Sequence, residues 1–497
     1  MDYVSTRNAG LRVSAAKAIA TGIAPDGGLF CPTETPSLTK ADLDALLGMD
    51  YKARAAFILG KYLTDFTAEE LQDFTQKAYA DEKFGGPNTA PVVDLKDGKH
   101  ILELWHGPTC AFKDMALQML PHLLTASLKK TGETRTACIL VATSGDTGKA
   151  ALEGFADVPG TKIMVYYPVD GVSPMQKLQM TTQKGDNVEV VAIHGNFDDA
   201  QSAVKRIFTD KATAEKMDAQ GLMFSSANSI NWGRLAPQIA YYVSAYCDMV
   251  NAGTIQMGDK INICVPTGNF GNILAGYFAK QMGLPVHKFI CASNRNNVLT
   301  DFFKNQGTYD RNRPFYTTDS PSMDILISSN LERLLFYISG QNDKVVSDLM
   351  GQLSRDGRYS LAKELFEKIA EDFDAGYCDD VQTAETIRKL WDEEHYLADT
   401  HTAVAVRVYE NYRRTTLDKT PTVIASTASP FKFCRAVVEA LGGKLERDDV
   451  TQLDVLSQMT GMEAPAPLAA LAGKQPRFDR VVPKEGILDT IDLLVKL

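Results

Sequence analysis

The 497-residue chain carries 62 acidic and 52 basic residues, a formal charge of −10, and its length calls for two or three subdomains instead of one core. Those charges are interspersed, which excludes the clustered basic face of a nucleic-acid binder, and no apolar run reaches membrane-spanning length. Residues 1–7 lack the basic and apolar segments of a secretory signal, and the eight cysteines form no C-x-x-C pair, so the expectation is a cytoplasmic protein without a metal site.

Taken in chain order, a turn-rich opening around Ala24-Pro25-Asp26-Gly27-Gly28 is followed by two helical patches, 40–47 and 51–63. They predict an N-terminal layer of helices. From residue 101 onward, β-rich apolar runs at 101–105, 138–143, 163–167, 188–193, 261–266 and 289–292 alternate with helical patterns at 115–128, 200–208, 235–250 and 273–282. Cys138, Cys264 and Cys291 fall inside those runs as small core hydrophobes. Such alternation predicts an α/β fold of open, mainly parallel sheets with helices on both faces, divided between two sheet-bearing subdomains. Between residues 324 and 396 apolar residues such as Leu331, Leu334, Leu335 and Ile338 recur at helical spacing and β-rich runs are missing, which predicts a helical insertion. A last strand at 422–425 and helix at 433–441 rejoin the sheet.

Four segments share one pattern, an apolar run followed by a small or polar loop and then a helix: 104–113, 140–148, 264–272 and 423–430. In an open parallel sheet such loops lie at the carboxyl edge of the strands, where ligands bind, so segments more than 300 residues apart can meet on one ligand. Gly268-Asn269-Phe270-Gly271-Asn272 suits an anion, because glycines let the backbone approach and a following helix offers free N–H groups. Taken alone, a turn with an Asn N-cap is the better account of it. Thr143-Ser144-Gly145-Asp146-Thr147-Gly148 offers hydroxyls and N–H groups either to a ligand carboxylate or phosphate, or as helix caps. Lys113, at the start of a helix, is either an exposed first-turn lysine or a buried amine kept neutral for Schiff-base chemistry.

Together these segments resemble the threonine synthase family, within the tryptophan-synthase-like pyridoxal-phosphate enzymes. The resemblance is carried by His106-Gly107-Pro108-Thr109-Cys110-Ala111-Phe112-Lys113-Asp114, by the loops 143–148 and 268–272, by Ser5-Thr6-Arg7 with Asp26-Gly27-Gly28-Leu29-Phe30, by Asn228-Ser229-Ile230-Asn231 with Arg234, by Pro321 to Arg333, and by His401-Thr402-Ala403-Val404. It implies a tryptophan-synthase-β-like fold with an N-terminal unit 1–95, a larger cofactor-binding unit of 96–130 and 225–497 that includes the insertion 325–396, and a smaller unit 131–224.

The resemblance also makes Lys113 the lysine that holds pyridoxal 5'-phosphate and Gly268 to Asn272 its phosphate cradle. Thr427 becomes the hydroxyl facing the ring nitrogen. The implied reaction takes O-phosphohomoserine and water to threonine and phosphate, with Ser144, Asp146, Thr147, Asn228 and Arg234 as candidates for the two substrate anions. Within that family Thr-Ala-His-Pro is common where this chain has Thr427-Ala428-Ser429-Pro430. A dehydratase, a cysteine-synthase-like enzyme and a binding protein that has lost turnover are the alternatives. The sequence leaves a monomer or a homodimer open.

Overall fold

Strand-helix alternation builds two parallel sheets in the computed structural model, which describes residues 1–195 and 197–497. The larger sheet has six strands in the order Phe373–Tyr377, Val286–Ser293, Ile261–Pro266, Thr422–Ser426, Lys99–Glu103 and Val92–Asp94. The first five run parallel, and the last is antiparallel to its neighbour. The smaller sheet, all parallel, runs Val481–Pro483, Val188–His194, Thr161–Pro168, Thr136–Ala142 and Leu222–Ser225.

Successive strand residues point to opposite faces, and both faces of each sheet are covered. In Ile261–Pro266, Ile263 and Val265 pack toward the helices Trp232–Asn251 and Gly271–Gln281, whereas Cys264 packs with Val404, Ala405 and Val408 of helix Thr400–Thr416. In Thr136–Ala142, Ile139 and Val141 face the main core, and Cys138 and Leu140 face Ala203, Val204 and Ile207 of helix Phe197–Thr209. All eight cysteines are buried and unpaired. Among the described residues no helix is long and apolar enough to cross a membrane, and no group of side chains could hold a metal ion.

Four expectations need correction. The first 95 residues contain more than helices: Asn8–Ser14, Asp2–Ser5 and Phe30–Pro32 form an antiparallel sheet. Its outer strand is only half-buried along its length, which leaves little apolar alternation for a sequence reading to find. The insertion 325–396 is not wholly helical either. Phe373–Tyr377, sequence Phe-Asp-Ala-Gly-Tyr, is the edge strand of the larger sheet, and its small residues and glycine hide its β character.

The helix expected at 115–128 is divided into Asp114–Leu117 and Leu120–Lys130, because Pro121 has no N–H to give the carbonyl four residues earlier. Finally, the stretch 225–497 does not belong entirely to the larger unit. Val481–Pro483 pairs with Val188–His194, and Ile487, Ile491 and Leu494 fill the outer face of the smaller sheet.

The N-terminal layer docks through aromatic packing. Trp232, fully buried, meets Tyr3, Tyr62 and Phe278 edge-on at ring-centroid distances of 5.5, 5.6 and 5.3 Å, contacts worth about 0.5–1.5 kcal/mol each beyond the area they bury. Tyr3 and Tyr62 come from the first 95 residues, and Trp232 opens the helix that carries Arg234. The N-terminal layer therefore braces the wall of the site.

Candidate active site

Ile261–Pro266, Thr422–Ser426 and Lys99–Glu103 are neighbours in the larger sheet, so the loops that follow them leave the same edge. They are also bonded to one another. Ala111 and Ala428 form an antiparallel bridge, the Phe112 N–H donates to Thr427 O at 2.8 Å, and the Ser429 N–H donates to Cys110 O at 3.0 Å. This pairing sets Lys113 beside Thr427. Behind Lys113, the Asp114 carboxylate accepts the Thr109 N–H (2.8 Å) and the Thr109 hydroxyl (2.7 Å). Burial pushes that carboxyl up to about 6 despite both bonds and the nearby Lys432. Cys110 adopts a left-handed φ of 59°, a strained choice for a non-glycine residue within a site loop.

Lys113 stands at the start of helix Asp114–Leu117, half-buried, with its amine 4.6 Å from the centre of the Phe112 ring. Burial is the largest influence on the amine and lowers it to about 8. Asp146 opposes the shift, whereas Arg234 and Lys432 add to it. A lysine so placed has a much larger neutral fraction near neutral pH than an exposed one, and the neutral amine is the form that Schiff-base formation and proton abstraction require.

The third loop has the geometry of an anion site. Phe270 has φ 64° and opens helix Gly271–Gln281. The Ser328 hydroxyl donates to Gly268 O (2.7 Å), and Asn330 donates to Asn269 O from its backbone (3.0 Å) and its side chain (3.1 Å). With those carbonyls bound by a neighbouring segment, the N–H groups at the helix start are left for an anion. A Cβ on Gly268 would lie 2.7 Å from Ser322 O. Asn272 Nδ2 is buried and has no partner among the described residues, although its Oδ1 accepts from Tyr242. Orphaned donors and a loop with no room for a side chain fit a phosphate group, and a half-buried lysine with a lowered pKa fits an aldehyde. The pocket thus suits pyridoxal phosphate, with the Thr427 hydroxyl free of any bond to the described residues.

The fourth loop comes from the smaller sheet. Thr143 Oγ1 accepts the N–H groups of Gly145 and Gly148, both at 2.9 Å, and Gly145 takes φ 136° with the Gln176 amide where a Cβ would stand. Ser144 and Thr147 are half-buried, and their hydroxyls make no bond among the described residues. Asn228 is half-buried with its side chain likewise unbonded. Arg234 is buried on helix Trp232–Asn251, donates from Nη1 to Ala227 O at 2.8 Å, and keeps Nε without a partner. Burial alone lowers its pKa to about 10. An enclosed guanidinium that lacks a carboxylate is a socket for an anion.

Asp146 does not belong with them. Its Oδ1 takes Gln176 Nε2 (2.9 Å) and Lys432 Nζ (3.0 Å), and its Oδ2 takes the Ser322 hydroxyl (3.0 Å). Burial alone would raise the carboxyl, yet Lys432, Lys113, Gln176 and His401 outweigh it and hold it well below the usual range. Three donors on this ionised carboxylate make Asp146 a hub that joins Gln176, Lys432 and Ser322. Lys432, Gln176 and Ser322 were missed as site residues. A lysine flanked by Phe431 and Phe433 was the one available signal of a buried charge.

Two further side chains hold the segments around the site. Ser429 is buried, and its hydroxyl accepts the Phe431 N–H at 3.3 Å, so here it caps the turn after Thr427. His401 Nε2 accepts the Ser322 N–H (3.1 Å), which puts the ring proton on Nδ1, facing Asp399 Oδ2 at 2.8 Å. This fixes the segment lying against Gly268.

Three families match in succession: "Threonine synthase N terminus" over residues 2–79, "Pyridoxal-phosphate dependent enzyme" over 100–427, and "Threonine synthase, C-terminal" over 402–489. "Threonine synthase-like 1" of Homo sapiens is 42% identical over 436 residues, 86% of this chain and 58% of that protein. The chain thus spans little more than half of that relative. The threonine synthase of Schizosaccharomyces pombe is 36% identical over 482 residues and is covered to 92%, against 91% of this chain. The crystal structure of pyridoxal-phosphate-bound threonine synthase from Brucella melitensis superposes with a TM-score of 0.87 at 35% identity, covering 100% of this chain and 99% of that one. Yeast threonine synthase gives 0.88 at 33%, with the same coverage. Similarity of this depth over the whole length places the chain in the threonine synthase family of pyridoxal-phosphate-dependent enzymes.

Proposed function

We propose that the chain is a cytoplasmic threonine synthase, which converts O-phospho-L-homoserine and water to L-threonine and phosphate in the last step of threonine biosynthesis. The observation that carries this reading is the pairing of a half-buried amine at about 8 with a buried guanidinium near enough to act on it, Lys113 and Arg234, the latter with an unpartnered Nε. A substrate with an α-amino acid end and a phosphate end suits that pair.

Lys113 would hold the cofactor, the N–H groups of 268–272 its phosphate, and Thr427 its ring nitrogen. When bound, pyridoxal phosphate supplies an aldehyde for the substrate amine and a ring that withdraws electrons from Cα. As a neutral hydroxyl, Thr427 donates no full charge to that ring, which moderates the withdrawal. As a free neutral amine Lys113 would take the Cα proton, and it would serve as the base at Cβ as well. Arg234 with Ser144, Thr147 and Asn228 grips the carboxylate and phosphate and orients the Cγ–O bond for departure. Water must add at Cβ only after phosphate has left, and the enclosure of the amine serves that order.

Incubation with O-phosphohomoserine tests the proposal. Equal amounts of phosphate and threonine are expected; phosphate without threonine would overturn the product, and no phosphate would overturn the substrate. Purified protein should also be yellow, with borohydride fixing the cofactor on the Lys113 peptide.

A further inference from the structure

Lys432 is a fully enclosed cation near the site: its side chain is fully buried, and it lies on the turn Pro430–Phe433 that follows Thr422–Ser426, one of the two central strands of the larger sheet. The ammonium donates to Thr109 O at 2.8 Å and pairs with Asp146 at 3.0 Å. Thr109 belongs to the Lys113 loop, and Asp146 opens the helix that follows the smaller sheet's Thr136–Ala142 strand. A single ammonium thus bridges the two sheet-bearing halves of the site, from a third segment. The other Asp146 donors strengthen this bridge. Gln176 comes from helix Pro174–Thr181 on the smaller unit, and Ser322 from the segment that covers Gly268. The same helix is held at its start by Asp449 of the larger unit, whose carboxylate accepts the Met175 N–H at 3.0 Å.

We propose that Lys432 is a positioning residue for the reaction: its ammonium, shared between Asp146 and the Thr109 carbonyl, holds the Lys113 loop and the Ser144–Thr147 loop at the spacing at which they act on one substrate. The proposal rests on the threonine synthase reading only for the substrate used to assay it. Burying a charged group is costly, and a buried pair contributes little stability compared with a well-packed apolar replacement. The reward for keeping this pair is therefore sought in geometry, where a 1 Å displacement of reacting groups costs about 10²-fold in rate.

The test compares the cofactor-loaded wild type with Lys432→Met, Asp146→Asn and the double variant, using phosphate release and hydrogen exchange. The double variant removes both charges, so it keeps the comparison alive if the single change unfolds the chain. Lys432→Met and the double variant are each expected to lose about 10²-fold in kcat, with KM changed much less, and amides at 109–113 and 143–149 should exchange faster together. Wild-type kcat in either Lys432 variant would overturn the proposal, and in the double variant would show that Lys432 merely neutralises Asp146. Faster exchange confined to 430–433 would also overturn it. If the wild type fails to release phosphate from O-phosphohomoserine, the substrate reading falls, and the exchange of the two loops still decides the role of Lys432.

Discussion

At the scale of single residues, the site works by denying charged groups their usual company. Lys113 is enclosed and falls to about 8. Below that pH the amine freed by substrate is a cation and cannot accept a proton, so kcat should rise through a limb near pH 8, read from a pH profile of phosphate release at saturating substrate. Lys113→Ala should abolish turnover and the borohydride adduct together. Arg234 keeps an unpaired buried Nε, a cost the folded chain bears in the absence of an anion. Charge-assisted hydrogen bonds contribute about 1.5–3 kcal/mol, so Arg234→Met should raise KM by about 10–150-fold while the melting temperature stays level or rises. A falling melting temperature with unchanged KM would make Arg234 a structural residue. Local sequence could not choose between a surface lysine and a buried one, because Asp146, Arg234 and Lys432, whose charges act on Lys113, are brought to it by three separate elements.

At the scale of elements, each strand-end loop is shaped by a neighbour distant in sequence. The 268–272 cradle depends on Ser328 and Asn330 for its carbonyls and on Ser322 for its floor. Adding one methyl at Gly268, 2.7 Å from Ser322 O, should cost about 1–3 kcal/mol of overpacking, visible as a lower melting temperature and faster loss of yellow cofactor on dialysis. If Gly268→Ala retains cofactor like the wild type, the loop is not the cradle. Its glycines and the helix behind them were legible from sequence, but the alternative of a plain capped turn stood until the orphaned Asn272 donor and the bound carbonyls were seen. Edge elements were the least legible: Phe373–Tyr377 has one partner strand and a composition of small residues, so burial left a weak mark on it.

For the whole molecule, the two termini clamp what lies between. Thr6 and Arg7 bond Glu332, the hydroxyl at 2.6 Å and the guanidinium at 2.8 and 2.7 Å, and the adjacent Arg333 reaches Phe30 O and Ile230 O at 3.1 and 2.6 Å. The Ser-Thr-Arg motif is therefore a brace for the segment that supports the cradle. Glu332→Ala should lower stability by about 1–3 kcal/mol, since it leaves buried donors unmet, measured by chemical denaturation. At the other end, ending the chain after Pro476 removes Ile487, Ile491 and Leu494 from the smaller sheet, and that unit should lose cooperative unfolding or aggregate. The sequence by itself determined the fold class and most strand positions, because hydrophobic periodicity is local and survives without coordinates, and it singled out Lys113 only through the family resemblance. Only the tertiary structure decided that Asp146 is a hub, that Lys432 belongs to the site and that the C-terminus returns to the smaller sheet. Each of these depends on pairings across hundreds of residues, and a charge or a short strand takes its meaning from the partner that burial gives it.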